Sequence, residues 1–520
     1  MENQESGKDG LLFREEEWAE VAAVADCAMT GKEAAKPRFK PINRQQLMMR
    51  SVDVERLVDE DHPVRAIWEM LGQVDLSGFE QEIRAVEGRP GQATLSPRLL
   101  ASLWVYAYSE GISSARELSR MTEYEPGCQW LTGMGQVNHH TLSDFRVGFK
   151  EGLDGLFIQI LGLLSAEGLI ELKQVMQDGT KIKANAGKDT FRREERLREY
   201  LTLAEKQIQE MGDPRSDAIS QRVSRAQERA LREKKEKLEL ALRELKRVRQ
   251  SKTEKEKTEA RVSATDPEAR IMKNGEGGYG PAYNVQISTD AAQGIVVGVE
   301  VVQSASDWNH LIPAVDRIEE TGGTVNQVIA DAGYTSRENI EAMADRQVDL
   351  IGPVPDKAAC PQRYEERGIG EKFHTEAFRY EEGANYYVCP EGKILRQTTK
   401  ERHAGRMKFK YQARPSDCQS CRFRDQCCPK SRSRRLTRSE DSETVKSFIA
   451  KMNTDEAKQT YRKRSQVAEF VNAWIKEKLG LRQFRLRGLM KVRTECLWAV
   501  LTYNIQQWIR LCWRKQLAEA

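Results

Sequence analysis

The segment VNQVIADAGYTS, residues 325–336, runs from an apolar stretch directly into a carboxylate. Its residues 328–330 are typical of a buried strand, and Asp331 ends that run, with Gly333 two residues later. One interpretation is that Asp331 caps the helix predicted to begin near Ser336. The other is that the strand holds an acid at its end, where chemistry takes place. The segment alone does not separate the two interpretations.

A second strand has the same pattern. The stretch LKQVMQDGTKIKA, residues 172–184, is typical of a strand, and its first apolar part runs into Asp178, which Gly179 follows. If the strands of Asp178 and Asp331 are neighbours in one sheet, the two carboxylates converge at its carboxyl edge, where α/β folds place their sites. Close carboxylates repel each other unless a divalent cation neutralises them, and oxygen ligands favour Mg²⁺ or Mn²⁺. Metal-dependent phosphoryl transfer uses this arrangement, although each aspartate alone is as typical of a turn or a cap.

A third acid is available in the predicted helix 461–478, YRKRSQVAEFVNAWIKEK. Arg462, Glu469 and Lys476 stand seven residues apart, so an α-helix places them on one face. A solvated, salt-bridging face explains this spacing slightly better than a functional one. The functional alternative turns Glu469 towards a metal and the basic side chains towards phosphates. The opposite face carries an apolar stripe made of Val467, Phe470, Val471, Trp474 and Ile475.

The order of predicted elements indicates a mixed α/β protein with more than one domain. A chain of 520 residues is too long for one core. Its central part alternates as strand, strand, strand, helix, strand, helix, strand. We predict a loosely attached leader at 1–44, a helical N-terminal domain at 45–172, an α/β domain at 173–513 and a tail at 514–520. Two insertions are predicted to interrupt the α/β domain, a charged helical one at 190–262 and a Cys-rich one at 357–440.

Charge and hydropathy point to nucleic acid more than to a membrane. Lys and Arg number 83 against 79 Asp and Glu, but basic residues cluster at 429–438 and 476–493. No apolar run of 18 residues exists, and the polar N-terminus is unlike a signal peptide, so we expect a cytoplasmic, nucleoid-associated protein. The N-terminal helices are compatible with a helix-turn-helix DNA-binding domain, in which exposed basic side chains would contact the DNA. On sequence alone, an ordinary helical domain with basic residues on its surface is favoured. The basic residues concerned are Arg116, Arg120, Arg146 and Lys150.

Four of the ten cysteines fall within eleven residues. Cys418, Cys421 and Cys427 form a C-x₂-C-x₅-C pattern, and Cys389 precedes it in a Cys-Pro-x-Gly turn. Four thiolates including one CxxC suit a tetrahedral structural zinc site in a reducing compartment. Cys428 is an alternative to Cys427, and reduced cysteines without a metal are the competing interpretation.

These motifs together resemble the DDE transposases of bacterial insertion sequences, in the branch that carries a Tyr-Arg-Glu-Lys signature. The resemblance rests on QDGTKIKANAG, GYGPAYNVQISTD, ADAGYTS and the helix 461–478, followed by RQFRLRGLMKVRTECLWAVLTYNI, and it extends over roughly residues 45–510. It implies a ribonuclease H-like catalytic core. Cysteines similar to those of this chain occur in the insert of related transposases.

The resemblance also implies roles for individual residues. Asp178, Asp331 and Glu469 fall on the catalytic, metal-binding triad, and Tyr461, Arg464 and Lys476 fall on signature positions that contact transposon-end DNA. Four residues separate Arg464 from Glu469, where three is the commonest spacing of the wider family.

The function expected from the resemblance is DNA transposition. The chain would bind the terminal inverted repeats of an insertion sequence, cleave the DNA by Mg²⁺- or Mn²⁺-dependent hydrolysis and join the ends to target DNA through the 3′-hydroxyl. A homodimer on double-stranded DNA is the expected assembly. The alternatives are a domesticated, non-catalytic DNA-binding protein and a ribonuclease H-like nuclease acting on other nucleic acids.

Overall fold

The computed structural model describes residues 45, 47, 49, 51–80, 94–210, 218–273, 275, 277–353, 361–403 and 406–519. The chain divides into two units, Met1–Asp53 and Val54–Ala520. The predicted leader 1–44 lies outside the described residues, and the features below belong to the second unit. Within the described residues, no helix is long and apolar enough to cross a membrane.

The first part of this unit is helical, as its capping residues predict. Ser96 accepts a hydrogen bond from the Leu99 amide ahead of Pro97, and Ser114 does the same for Glu117. The helices are α1 (Pro63–Met70), α2 (Pro97–Ser109), α3 (Ala115–Tyr124), α4 (Pro126–Thr132), α5 (His139–Gly148) and α6 (Lys150–Ala166).

A mixed sheet follows, interrupted by a helical insertion. After β1 (Gln174–Lys183) the chain forms β2 (Phe191–Arg192), α7 (Glu194–Glu210), α8 (Ala218–Gln250), α9 (Glu254–Lys257) and β3 (Val262–Ser263). It then returns to the sheet through β4 (Arg270–Lys273), β5 (Tyr279–Asp290), β6 (Val296–Val302), α10 (Leu311–Glu320), β7 (Gln327–Ala330), α11 (Arg337–Asp345) and β8 (Asp349–Ile351). Within this insertion the residues Gly212-Asp213-Pro214 predict a break between two helices, and they lie outside the described residues.

The sheet combines antiparallel and parallel pairing around β1. One edge of β1 pairs antiparallel with β5, whose other edge carries β4 and β6. The opposite edge of β1 pairs parallel with β7, and β7 pairs parallel with β8. The predicted class, mixed α/β with a mixed sheet flanked by helices and a helical N-terminal region, is confirmed. The strands of Asp178 and Asp331 are direct neighbours, which is the condition on which their convergence depends.

The remaining chain forms a second sheet and the C-terminal helices. The Cys-rich segment contains α12 (Pro361–Glu366), β9 (Arg379–Glu381), β10 (Tyr386–Val388), β11 (Ile394–His403), β12 (Arg406–Ala413), α13 (Pro415–Gln419), α14 (Arg424–Cys427) and β13 (Arg435–Asp441), and its five strands pair antiparallel in the order β13-β12-β11-β10-β9. The C-terminal helices are α15 (Glu443–Met452), α16 (Asp455–Arg464), α17 (Phe470–Glu477), α18 (Leu489–Trp508) and α19 (Arg514–Glu519), with π-helical turns at Ser465–Glu469 and Ile509–Trp513.

One hydrophobic core joins the N-terminal helices to the sheet. It contains Trp104 of α2, Ile160 of α6, Val299 of β6 and Trp498 of α18, all buried. Because α18 comes from the far end of the chain, this core closes the unit by a long-range contact. The helical insertion has a separate small core between α7 and α8, formed by Leu197, Ala204, Leu238, Ala241 and Leu245 together with Ala260 and Val262.

Asp266 is a fully buried carboxyl that anchors the start of α18. Its Oδ1 accepts hydrogen bonds from the Tyr283 hydroxyl at 2.8 Å and from the Gly488 amide at 3.1 Å. Its Oδ2 has no partner among the described residues. Burial raises the pKa of this carboxyl, against the lowering effect of the Tyr283 hydrogen bond.

We expect Asp266→Asn to raise the thermal unfolding midpoint at neutral pH. Asparagine keeps the accepting oxygen and removes the buried charge. A carboxyl with a raised folded-state pKa favours folding below its unfolded-state pKa and loses that contribution as pH rises through the folded-state pKa. The gain should therefore shrink as pH falls towards about 4, the range of an unperturbed aspartate. Thermal melts of both proteins across this range check it, and a gain that grows on acidification would contradict it.

Candidate active site

Asp178 lies in the middle of β1, opposite Ile287 of β5. Asp178 therefore interrupts the apolar strand and does not end it, because β5 continues to pair with β1 as far as Lys183. Pairing with β7, by contrast, stops at Gln177 and Ala330. Asp178 is therefore the first residue of β1 beyond its parallel partner, and Asp331 is the first residue after β7. The two aspartates lie side by side because each directly follows the last residue pair of the parallel pairing, Gln177 with Ala330.

Asp331 shapes a turn and does not cap the following helix. Its Oδ1 accepts a hydrogen bond from the Gly333 amide at 2.7 Å, as aspartate does in turns. The N-cap of α11 is Ser336, whose hydroxyl accepts from the Asn339 amide. The capping interpretation of Asp331 is therefore wrong. Its side chain keeps 38% of its surface exposed, against 12% for Asp178, so Asp331 is the more accessible of the two carboxylates.

Arg464 lies between the two carboxylates. Its Nη2 is 2.9 Å from Asp178 Oδ1 and 3.8 Å from Asp331 Oδ2. On the other side, Asn472 Nδ2 donates to Asp178 Oδ2 at 2.8 Å. Burial raises the pKa of the Asp178 carboxyl, and this effect outweighs the opposing effect of the Arg464 guanidinium. The site thus holds a partly desolvated carboxyl with both oxygens hydrogen-bonded, which is typical of functional positions.

A π-helical turn, Ser465–Glu469, separates α16 from α17. In an α-helix, the side chains of residues five apart, such as Arg464 and Glu469, point about 140° away from each other. A π-turn instead forms i→i+5 hydrogen bonds, which bring residues five apart close to the same side of the helix. The turn therefore absorbs the additional residue between Arg464 and Glu469. The single face predicted for Arg462, Glu469 and Lys476 assumes an uninterrupted α-helix, and the π-turn interrupts it between Arg462 and Glu469. Arg464, and not Arg462, contacts the two aspartates.

The other residues of the predicted site are distributed around this centre. Glu469 is exposed at the end of the π-turn. Tyr461 is half-buried against a small core under the site that includes Met176 and Ile329. Lys476 lies on α17 and is partly buried. Within the described ranges, no group of three or more His, Cys, Asp or Glu side chains is arranged to hold a metal ion. The structure brings Asp178 and Asp331 together and leaves Glu469 outside their immediate contacts.

A partly buried polar network around Asp307 lies beside Gly179, the residue after Asp178, and no sequence pattern indicates it. Asp307 accepts hydrogen bonds from Asn284 at 2.6 Å and Gln286 at 2.8 Å, and pairs with Lys181 at 3.0 Å. A Cβ added at Gly179 would lie 2.7 Å from Asp307 Oδ1, so glycine is required after Asp178 by this close approach. Asp307 lies in a loop without a recognisable pattern. Asn472 was detectable in principle, since it stands one helical turn after Glu469.

The cysteines predicted to bind zinc line one pocket of the Cys-rich segment. Cys389, Cys418, Cys421 and Cys427 are joined there by Cys428, and all five are free thiols. Backbone amides donate to two of the sulfurs, that of Lys393 to Cys389 Sγ at 3.2 Å and that of Arg434 to Cys418 Sγ at 3.4 Å.

The Arg434 side chain is buried beside these thiols. Its guanidinium donates to the carbonyls of Phe373 and Cys427, and its Nε has no partner among the described residues. Among the described residues, no carboxylate forms a hydrogen bond or a salt bridge with it. The positive charge is therefore left to interact with the sulfurs.

The basic residues considered for a DNA reader are not equivalent. Arg146 is buried, donates to the Ser113 carbonyl at 2.6 Å and stacks on Trp104. It therefore supports the core and is not one of the surface basic residues that the sequence suggested. Arg116 and Arg120 are exposed, and Arg120 pairs with Glu117.

Two stretches of the chain match family models of transposases. Residues 388–509 match a model described as Transposase DDE domain, and residues 52–147 match one described as Transposase domain (DUF772). This chain contains transposase-like domains. The first stretch includes the cysteine pocket, Arg464 and Glu469, whereas Asp178 and Asp331 lie outside both stretches.

Comparisons with whole proteins add little to these matches. No curated protein matches the chain. Among solved structures, the piggyBac transposase synaptic complex with hairpin DNA is similar to it with 8% sequence identity and a TM-score of 0.28, over 86% of this chain and 74% of that one.

Proposed function

We propose that this protein is a DNA transposase of the DDE type, from the insertion-sequence branch that its signature resembles. In this proposal it binds terminal inverted repeats, cleaves the DNA by metal-dependent hydrolysis and joins the ends to target DNA by 3′-hydroxyl strand transfer. The observation that carries the proposal is the placement of Asp178 and Asp331 side by side on two parallel strands. Glu469, at the end of the π-turn that follows Arg464, lies within the stretch that matches the DDE-domain model and is the proposed third acid.

The donor set of the site fits a hard divalent cation. Asp178, Asp331 and Glu469 offer carboxylate oxygens, the ligands of Mg²⁺ and Mn²⁺. When bound, such ions activate the attacking oxygen and stabilise the leaving one. The residues of the chain orient these acids: Gly333 fixes the Asp331 carboxylate through its amide, and Asn472 fixes that of Asp178. Glu469 has to approach the two aspartates for all three to act on one ion.

A basic loop beside β1 supports double-stranded DNA as the partner. The Lys183 amide donates to the Arg482 carbonyl, and the Phe484 amide donates to the Lys183 carbonyl, so the loop lies along the end of the strand that holds Asp178. Arg485 and Arg487 are exposed on this loop. Lys183 stands five residues from Asp178, about 17 Å along an extended strand, so these clustered arginines are suited to contact phosphates of a duplex that extends beyond the site. With Tyr461, Arg464 and Lys476 they form the proposed end-DNA surface, used by a homodimer on DNA in the bacterial cytoplasm and nucleoid.

In-vitro cleavage of a labelled terminal repeat tests the proposal. The purified chain should nick the repeat end in Mg²⁺ or Mn²⁺ and not in Ca²⁺, and should then join it to a target. Specific binding without cleavage in any of the three ions would overturn the enzyme and favour the non-catalytic DNA-binding alternative. Cleavage of unrelated nucleic acid with equal efficiency would favour the nuclease alternative.

A structural zinc ion in the cysteine pocket is the second part of the proposal. Thiolates from Cys389, Cys418, Cys421 and Cys427, or Cys428 in place of the last, are the ligands of a tetrahedral zinc site. The described thiols are not arranged to hold an ion, so the proposal requires the four sulfurs to move closer together around the metal. Coordination by four thiolates gives a net negative charge, which would compensate the buried Arg434 guanidinium. Amide hydrogen bonds to Sγ of the kind seen at Cys389 and Cys418 also favour the thiolate form.

We expect the purified chain to contain about one zinc ion per molecule, as a closed four-thiolate site predicts. Elemental analysis should show that Cys418→Ser with Cys421→Ser removes it, because two of four ligands are lost. Cys512→Ala, outside the pocket, serves as the control and should keep the metal. Chain prepared without chelators that contains no zinc, or equal zinc in the double variant, would contradict the site.

A further inference from the structure

The Arg464 guanidinium is held at the site almost entirely by the two aspartates. Only 16% of its side-chain surface is exposed, and its Nη2 approaches Asp178 Oδ1 and Asp331 Oδ2 at 2.9 and 3.8 Å. Its Nε is buried and has no hydrogen-bond partner among the described residues. The pKa of Arg464 is raised even though burial acts to lower it, because Asp178 favours the charged form. The guanidinium is thus a buried cation that balances two carboxylates.

A divalent cation requires the same oxygen atoms. Carboxylate ligands lie about 2.0–2.2 Å from Mg²⁺ or Mn²⁺, so an ion shared by Asp178 and Asp331 enters the space between them where Nη2 lies. Two cations in a partly desolvated site repel each other strongly. Asn472 donates to Oδ2 of Asp178, so Oδ1, which Arg464 contacts, is the oxygen for which a shared ion competes with the guanidinium.

We propose that Arg464 competes with the divalent metal for Asp178 and Asp331, so that metal binding requires the guanidinium to leave the site. This inference rests on the proposed function, because it takes the two aspartates as metal ligands. Arg464 ends α16 directly before the π-turn, and Glu469 ends that turn. A rearrangement of this one turn withdraws the cation and moves the third carboxylate, and π-turns are often found where helices serve function. The released guanidinium is then free to contact a DNA phosphate.

Mn²⁺ binding by the full chain without DNA tests the competition. Mn²⁺ prefers carboxylate oxygens to thiolates, and its free concentration is read from its electron paramagnetic resonance signal. We expect Arg464→Gln to bind Mn²⁺ about tenfold more tightly than the wild type, a change equivalent to about 1.4 kcal/mol. Arg464→Lys keeps the charge and should stay within about threefold of the wild type. Arg462→Gln removes a neighbouring exposed arginine and should change nothing, which controls for net charge.

The outcomes separate this inference from the function on which it rests. If Asp331→Asn weakens Mn²⁺ binding but Arg464→Gln binds no more tightly than the wild type, the competition is overturned and the metal site stands. If neither the wild type nor Arg464→Gln binds Mn²⁺ in a way that Asp331→Asn reduces, the metal site itself is overturned. Should Arg464→Gln fail to fold, Arg464→Met retains the aliphatic stem without the charge, and the same tenfold gain is expected.

Discussion

Asp331→Asn and Glu469→Gln should each reduce metal-dependent cleavage of a terminal repeat by at least about 10²–10³-fold, the loss that follows from removing one group that stabilises a charged transition state. Asparagine and glutamine keep the size of the side chain and remove the charge that a divalent cation needs. For Asp331 the geometry strengthens the expectation, since its carboxylate is close to Asp178 and remains accessible. End binding should change little, because DNA affinity comes from the basic surface. Cleavage rates and band-shift affinities on the same labelled repeat measure the two effects separately.

Two exposed acids on the helices that adjoin Asp331 and Glu469 provide matched controls. Glu338 lies in the first turn of α11, just beyond Asp331, and Glu456 lies on α16, which leads to Glu469. Glu338→Gln and Glu456→Gln should leave cleavage close to wild type. Cleavage retained in Asp331→Asn or in Glu469→Gln would refute that residue's place in the triad. Equal losses in the controls would show that the assay reports surface charge and not the metal site.

The sequence indicated the two strands and their acids, because apolar runs followed by Asp-Gly and Asp-Ala-Gly are local patterns. It left the pairing of these strands as a condition, because pairing and the length of β1 beyond Asp178 depend on the neighbouring strands: β5 continues to pair with β1 beyond the end of β7. The burial of Arg146 was equally inaccessible. The packing of Trp104 and α18 around that arginine is a tertiary effect.

The π-turn shows why the third acid was harder to place than the first two. Helical periodicity assigns faces correctly only while hydrogen bonds keep the i→i−4 register. One surplus residue between Arg464 and Glu469 changes that register, and no pattern of apolar residues reveals it. The resemblance already indicated that this spacing is one residue longer than the commonest one, and the π-turn accommodates the extra residue. The assignment of Glu469 to the metal remains a prediction for the cleavage assay.

Trp498→Ala should destabilise the chain by about 3–5 kcal/mol, the usual cost of emptying a large buried aromatic site. Trp498 is 1% exposed, its ring centroid lies 6.1 Å from that of Phe145, and its Nε1 donates to the Arg146 carbonyl at 3.3 Å. These contacts join α18 to α5, across more than 350 residues of sequence. The cavity therefore opens where the C-terminal helix meets the N-terminal helices. Calorimetric and circular-dichroism melts should show one main transition of the shared core moving to lower temperature.

Trp308→Ala provides the control, since this tryptophan is 45% exposed in the loop before α10, and exposed substitutions usually change stability by no more than about 0.5 kcal/mol. The comparison also tests how the helical part relates to the sheet. If the N-terminal helices form an independent DNA-binding domain, Trp498→Ala will shift one of two separable unfolding transitions and leave the other in place. If the shared core makes the helices and the sheet one cooperative unit, the calorimetric and the circular-dichroism melts will show a single transition that shifts as a whole. Because Trp498 packs on Phe145 and α18 also packs on β6 through Asn504, which accepts from the Val296 amide at 2.9 Å, the single shift is expected.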